Sequence, residues 1–149
     1  MTRYSRQISL PEIGEGGQEK LHKARVLIVG AGGLGSPAAL YLAGAGVGTI
    51  GLADDDTVGI SNLQRQILYT ENEVGQLKVH CAAQRLRALN GNIEVHAYPF
   101  RLNRENARRL IADYDIVVDG CDNFSTRYLI SDSCSALHKP YVYGAIQGF

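Results

Sequence analysis

The sequence predicts an α/β fold built on a doubly wound, mainly parallel sheet. The run at residues 25–29 is almost wholly apolar, and residues 115–119 have an apolar centre between two aspartates; both are typical of strands buried on both faces. Strand patterns alternate with helical patterns along the chain, and this alternation indicates parallel βαβ units with right-handed crossovers. We predict the strand order 3-2-1-4-5 at residues 25–149, preceded by an N-terminal arm at residues 1–24.

The first half of the chain supplies two of the predicted strands. The polar arm has a short helix near residues 18–23, and the first strand follows at residues 25–29. Ser36 and Pro37 then open a helix, with Ser36 as its N-cap. Gly44 or Gly46 ends that helix. A second strand at residues 49–53 leads into three consecutive aspartates.

The second half supplies three more strands. Residues 57–70 are polar and irregular, and a helix follows near residues 75–90. A strand at residues 93–98 alternates in polarity, which favours a position near a sheet edge. Asn103 caps a helix that buries Ala107, Leu110 and Ile111. The remaining predicted elements are a strand at residues 115–119, a helix at residues 125–137 and a strand at residues 141–143.

Composition excludes several classes of function. The chain has 149 residues, which suits one domain, and its 15 Lys and Arg balance its 15 Asp and Glu. A neutral chain is not expected to bind nucleic acid through phosphate neutralisation. There is neither a membrane span nor the apolar core of a signal peptide. The cysteines, Cys81, Cys121 and Cys134, lack C-x-x-C spacing, so we expect a reduced, cytoplasmic setting without a disulfide framework or a zinc site.

A glycine-rich segment follows the first strand. Residues 30–35 read Gly-Ala-Gly-Gly-Leu-Gly and match the pattern G-x-G-x-x-G between a buried strand and a helix. Asp54 lies 24 positions after Gly30, at the end of the next strand, where a carboxylate can accept hydrogen bonds from a ribose. This context predicts a Rossmann-like nucleotide site, the helix N-terminus facing a phosphate. Alternatively, the glycines only permit close packing of strand and helix.

Polar and basic residues follow the second strand. Residues 61–66 read Ser-Asn-Leu-Gln-Arg-Gln, and Lys78 lies near the start of the next helix. Arg65 and Lys78 could both face phosphates, a pairing that suits a triphosphate better than the pyrophosphate of NAD. Each cation taken alone is equally typical of a solvated surface.

Asp122 and Asn123 come just after the fourth strand. In the predicted order, strands one and four are neighbours where the winding reverses, and ligands bind outside their carboxyl ends. Asp122 should therefore face the glycine loop, and a carboxylate near phosphates indicates Mg²⁺ between them. Alternatively, Asp122 caps the following helix, a role that Asn123 or Ser125 could also fill.

These motifs together resemble the ubiquitin-activating-enzyme-like family, in its bacterial ThiF/MoeB/HesA branch. The similarity covers essentially the whole chain and includes Arg-Tyr-Ser-Arg-Gln at residues 3–7, Asp54-Asp55-Asp56, the segment 61–66, Lys78 and Cys121-Asp122-Asn123. Residues 41–49 and 52–56 are most similar to ThiF, with MoeB close behind.

The resemblance implies ATP-dependent adenylylation of the C-terminal Gly-Gly carboxylate of a ubiquitin-like sulfur carrier, ThiS-like or alternatively MoaD-like. It assigns the adenosine end to Gly33 and Asp54, the phosphates to Asn62, Arg65 and Lys78, and Mg²⁺ to Asp122. Arg6 would reach the active site of the other subunit of a homodimer. The catalytic candidates are therefore Arg6, Arg65, Lys78 and Asp122, and the nucleotide-binding candidates are Gly30, Gly32, Gly33, Gly35, Asp54, Asp56, Ser61, Asn62, Leu63, Gln64, Arg65, Gln66, Lys78, Asp122 and Asn123.

Family members continue further and carry two C-x-x-C pairs for a structural zinc, so we expect this chain to be a truncated part of the family domain, with zinc only in the missing region. Two other classes stay open. One is an NAD-linked oxidoreductase domain, which Arg65, Lys78 and Asp122 disfavour. The other is a non-catalytic dimerisation domain that has kept the fold.

Overall fold

A computed structural model describes residues 3–147 of the chain. In chain order its helices and strands are α1 (Ser5–Ile8), α2 (Gly14–Lys23), β1 (Arg25–Val29), α3 (Gly35–Ala45), β2 (Thr49–Ala53), α4 (Lys78–Leu89), β3 (Glu94–Tyr98), α5 (Ala107–Ala112), β4 (Ile116–Asp119), α6 (Phe124–Ala136) and β5 (Tyr141–Tyr143). Short 3₁₀ turns at Ile60–Asn62 and Glu71–Glu73 interrupt the irregular segment between β2 and α4.

The five strands form one parallel sheet in the order β3-β2-β1-β4-β5, which confirms the predicted order. β1 lies at the centre, and both of its faces are covered. Ile28 packs into a core with residues of α3 and α4, whereas Leu27 packs on the opposite face with residues of α5 and α6. Successive side chains of a strand point to opposite faces, so a strand covered on both sides must be apolar throughout.

The prediction that Ser36 caps α3 is wrong. The helix begins at Gly35, the N-cap position is Leu34, and no side chain caps it. Ser36 is fully buried and its hydroxyl donates to the carbonyl oxygen of Ala31 at 3.0 Å. A buried hydroxyl needs a partner, and the folded glycine loop supplies one. The helix ends at Ala45, so the C-cap is Gly46, one of the two glycines proposed.

Two other helix boundaries differ from the prediction. α2 begins at Gly14, four residues earlier than expected. α4 begins at Lys78 rather than near residue 75, because the preceding residues pair with the irregular segment. There, Val58 N donates to Gln76 O and Gly75 N donates to Val58 O, each at 2.8 Å. Asn103 was predicted to cap α5, but the N-cap position is Asn106. The Asn103 side-chain oxygen accepts instead from the N–H groups of residues 105 and 106, in the turn before the helix.

The N-terminal arm packs against the end of α3. The side-chain amides of Gln7 and Gln18 both donate to the carbonyl oxygen of Ala45, at 2.8 and 3.0 Å. Asn90 donates to the Tyr4 hydroxyl at 2.8 Å, which ties the arm to the end of α4 as well. Across residues 3–147, no helix combines the length and the apolar character that crossing a bilayer requires.

Candidate functional site

A cleft of about 850 Å³ lies at the carboxyl ends of β1, β2 and β4. The glycine loop forms one wall, and the connection between β4 and α6 lies opposite it. Because the winding of the sheet reverses between β1 and β4, their carboxyl ends diverge into helices on opposite faces and leave a crevice. Many of the candidate residues line this cleft: Gly30, Gly32, Gly33, Asp54, Asp56, Asn62, Arg65, Gln66, Lys78, Asp122 and Asn123.

Close backbone contacts leave room only for glycine at two positions of the loop. Gly30 has a φ of +88°, and a Cβ there would lie 2.9 Å from backbone atoms of Gly120 and Cys121. A Cβ at Gly35 would overlap the carbonyl oxygen of Gly30. Gly35 therefore closes the loop against its own helix, and it does not line the cleft. Gly35 was predicted to bind the nucleotide, but in the structure it serves the packing of the loop against α3.

Replacing Gly35 with alanine should destabilise the fold. The new methyl group must displace backbone rather than a flexible side chain, and we expect a loss of about 3 kcal/mol in the free energy of unfolding. Gly44→Ala is the matched control, because nothing lies within 4 Å of its added Cβ in the same helix. We expect that variant to be neutral or stabilised by roughly 0.5–1 kcal/mol. Urea unfolding of both variants checks this, and equal midpoints would contradict it.

Ala31 anchors the glycine loop through both of its backbone polar groups. Its N–H donates to Asp54 Oδ2 at 2.7 Å, and its carbonyl oxygen accepts from the hydroxyls of Ser36 and Tyr69. The other carboxylate oxygen of Asp54 accepts from the N–H of Asp56 at 2.8 Å. These hydrogen bonds show that Asp54 holds the loop in shape, while its binding to a ribose stays a prediction. Asp54 also lines the cleft.

Lys78 brings a nearly buried ammonium group to the cleft. Its side chain is 6% exposed, and its Nζ lies 3.1 Å from Oδ2 of Asp56. The Asp56 side chain is 66% exposed. Burial of a charge costs free energy unless a partner compensates for it, and an exposed carboxylate compensates only in part. The ammonium group is therefore well placed to receive an anion in the cleft.

Arg65 and Gln66 approach the glycine loop from the irregular segment. The aliphatic stem of Arg65 packs over Gly33, and its guanidinium is exposed, with one contact of 3.4 Å to the Ser61 carbonyl oxygen. Gln66 is buried, and its side-chain oxygen has no hydrogen-bond partner among residues 3–147. Asn62 uses its side-chain oxygen to accept from Gly59 N, which leaves its amide nitrogen for the cleft.

The cap of α6 is Asn123, not Asp122. The side-chain oxygen of Asn123 accepts from Thr126 N at 2.9 Å. Asp122 is exposed and lines the cleft, and no residue in the described part of the chain donates a hydrogen bond to its carboxylate. A free carboxylate in the cleft that Arg65 and Lys78 also line has the chemistry of an Mg²⁺ ligand, because Mg²⁺ favours one or two carboxylates together with phosphate oxygens.

Some candidates lie outside the cleft. Ser61 and Gln64 point to solvent, and Leu63 packs against the core on the α3 side. Arg6 is exposed on α1 and is not among the residues that line the cleft of its own chain. The three cysteines are free, and the one group of residues within 3–147 with metal-binding spacing is Asp54-Asp55-Asp56.

A buried charge network beside Asp122 was not predicted from the sequence. Asp119 ends β4 with a fully buried carboxylate, which accepts from the Tyr141 hydroxyl at 2.6 Å and contacts Arg127 at 3.3 Å. Arg127 lines the cleft, and so does Arg101, which pairs with Asp55 at 3.6 Å. A buried acid at a strand end, followed by an arginine eight residues later, was the available signal.

The fold and the cleft define a Rossmann-like nucleotide-binding domain whose cations and free carboxylate suit a polyphosphate. Residues 4–149 match the ThiF family model. The chain belongs to the ThiF family.

Relatives and solved structures agree with this assignment. The chain is 52% identical over 149 residues to "Sulfur carrier protein adenylyltransferase" of Thermus thermophilus, covering all of this chain and 55% of that protein. It is 51% identical over 148 residues to "Probable molybdopterin-synthase adenylyltransferase" of Porphyra purpurea, covering 99% of this chain and 39% of that protein. An Escherichia coli tRNA N6-threonylcarbamoyladenosine dehydratase in complex with ATP superposes with a TM-score of 0.90 at 29% identity, over 97% of this chain and 61% of that one. The chain thus spans about half or less of these curated relatives.

Proposed function

We propose that this chain is the nucleotide-binding part of an ATP-dependent adenylyltransferase that activates the C-terminal carboxylate of a ubiquitin-like sulfur carrier. The observation that carries the proposal is the buried Lys78 ammonium and the Arg65 guanidinium in the same cleft as the free carboxylate of Asp122. Two cations and one carboxylate suit a triphosphate with a divalent ion, whereas a dinucleotide carries only a pyrophosphate.

The reaction needs charge neutralisation more than proton transfer. A carboxylate oxygen of the carrier attacks the α-phosphorus of ATP, the bond to the β-phosphate oxygen breaks, and pyrophosphate leaves with its electron pair. The carboxylate is already ionised at neutral pH, so no general base is required. Asn62, Arg65 and Lys78 would hold the phosphates, and Asp122 would hold Mg²⁺, which supplies further positive charge when bound. Gly33 and Asp54 would hold the adenosine end.

We also propose which carrier the protein activates, how it assembles and in which compartment it lies. A ThiS-like carrier in thiazole synthesis is our first choice, on the resemblance of residues 41–49 and 52–56 to ThiF. A MoaD-like carrier is the second, and the Porphyra relative's name favours it. We further propose a cytoplasmic homodimer in which Arg6, exposed and outside its own cleft, serves the cleft of the partner subunit.

Carrier-dependent exchange of pyrophosphate into ATP tests the proposed function. With the full-length protein, we expect exchange with a carrier that ends in Gly-Gly and none with the same carrier lacking that end. Exchange would exclude a non-catalytic dimerisation domain. Calorimetric titration tests the other alternative, because tighter binding of NADH than of Mg-ATP would overturn the proposal in favour of an oxidoreductase.

Replacing Lys78 with methionine should weaken ATP binding without weakening the fold. The change removes the charge and keeps the aliphatic stem, so we expect the Kd for ATP to rise roughly 10- to 100-fold, about 1.4–2.7 kcal/mol. Stability should be unchanged or slightly higher, because a nearly buried ammonium is lost. Lys20→Met, on the exposed face of α2, is the control. A large fall in the melting temperature with unchanged Kd would contradict this role.

A further inference from the structure

A buried ion pair links both ends of the loop that carries Asp122. Asp119 accepts from Cys121 N at 2.9 Å, and Arg127 donates to Cys121 O at 2.7 Å. The two backbone polar groups of Cys121 are therefore held by the two partners of one ion pair. Asp122 is the next residue, so the hydrogen bonds to Cys121 also fix the position and direction of the Asp122 backbone.

The same guanidinium also reaches the segment after β5. Arg127 donates to Gly144 O at 3.2 Å and lies 4.8 Å from the centre of the Tyr143 ring. The residues that follow, Ala145, Ile146 and Gln147, line the cleft as Asp122 does. One side chain thus connects two walls of the cleft that come from different parts of the chain.

Stability alone is a weak explanation for this arrangement. The Asp119 carboxylate is fully buried, and the side chain of Arg127 is 17% exposed. Withdrawing such a pair from water costs about as much free energy as the attraction returns, and apolar residues of similar size are often equally stabilising. An apolar group cannot do what this guanidinium does: its Nη2 donates to two separate carbonyl oxygens while its Nε donates to the Asp119 carboxylate.

We propose that Arg127 is the positioning residue of the cleft, holding the loop of Asp122 and the segment after β5 in the arrangement that receives the nucleotide. Arg127 acts through Asp122 rather than on the reacting atoms. The identity of the nucleotide rests on the proposed function, whereas the positioning itself does not.

Cys121 is a native reporter of this arrangement. Its thiol is half-buried and donates to the carbonyl oxygen of Asn123 at 3.6 Å, within the loop that the ion pair holds. While the loop keeps this shape, the thiol should react slowly with iodoacetamide. Cys81 and Cys134 are buried in the two cores at 2% and 1% exposure, so they react only when the whole fold opens.

Alkylation of the nucleotide-free chain, mapped by mass spectrometry, tests the proposal. In Arg127→Lys the positive charge remains but the fork is lost, and we expect Cys121 to react about tenfold faster or more, with Cys81 and Cys134 still protected. Arg109→Lys, exposed on α5, should behave like the parent chain. Tyr141→Phe removes a single hydrogen bond to Asp119 and should accelerate Cys121 less.

Unchanged Cys121 labelling in Arg127→Lys would overturn the proposal. Equal exposure of all three cysteines, with no change in Tyr141→Phe, would also overturn it, because the ion pair would then serve the fold alone. ATP titration completes the test: Arg127→Lys should weaken Mg-ATP binding about tenfold, and clearly less in an Asp122→Ala background, where only the contact with the segment after β5 is left to lose. Failure of ATP to bind the parent chain would count against the proposed function and leave the labelling result intact.

Discussion

In the full-length protein, Asp122→Ala is expected to lower carrier-dependent exchange of pyrophosphate into ATP by at least about 100-fold, the size of effect seen when one preorganised electrostatic contact to a reacting centre is removed. The carboxylate is exposed to the cleft, and no donor in the described part of the chain engages it. Its removal therefore leaves no buried group unpaired, so the melting temperature should stay within about 2 °C of the parent value.

Two further variants sharpen the Asp122 experiment. Asp122→Asn keeps the shape and removes the charge, so it should fail nearly as completely if the carboxylate holds Mg²⁺. Glu105→Ala removes an exposed carboxylate before α5, outside the residues that line the cleft, and should leave exchange unchanged. Binding of ATP without Mg²⁺ should be similar in all three variants and the parent protein. Exchange near the parent rate in Asp122→Ala would refute the metal role.

The strand order could be predicted because buried parallel strands leave a simple signal. In β1 every residue from Val26 to Val29 is buried, so the run is apolar without alternation. The edge position of β3 was also correct, since its residues are mostly half-buried or exposed and its polarity alternates. The polarity pattern of a strand depends on which of its faces are covered, so the pattern can be read from the sequence.

Side-chain partnerships were less predictable. Ser36 before Pro37 is typical of a helix start, yet the approach of Ala31 gives its hydroxyl another partner. The network of Asp119, Arg127 and Tyr141 joins a strand end, a helix and a second strand, which come together only in the folded chain. Local pattern shows where a loop lies, whereas tertiary geometry decides what its side chains bind.

Mixing two inactive variants should restore activity if Arg6 serves the partner's cleft. Arg6→Ala alone should reduce exchange roughly 100-fold, because the partner's cleft would lose a cation that neutralises charge in the reaction. In a mixed dimer with an Asp122→Ala subunit, one cleft combines an intact Asp122 with an intact Arg6 from the partner. After random exchange of subunits, half of the dimers are mixed, so we expect about a quarter of the parent activity.

The position of Arg6 is the reason to expect that it acts on the partner subunit. Arg6 is exposed on α1, whereas Gln7 anchors the arm to Ala45 at the far end of α3, the helix whose N-terminus faces the cleft. Within one chain, Arg6 is not among the residues that line the cleft, so a catalytic Arg6 must belong to another copy. If mixing restores no activity while each variant still forms dimers, the arrangement across subunits is wrong. Full activity of Arg6→Ala by itself would show instead that Arg6 takes no part in the reaction.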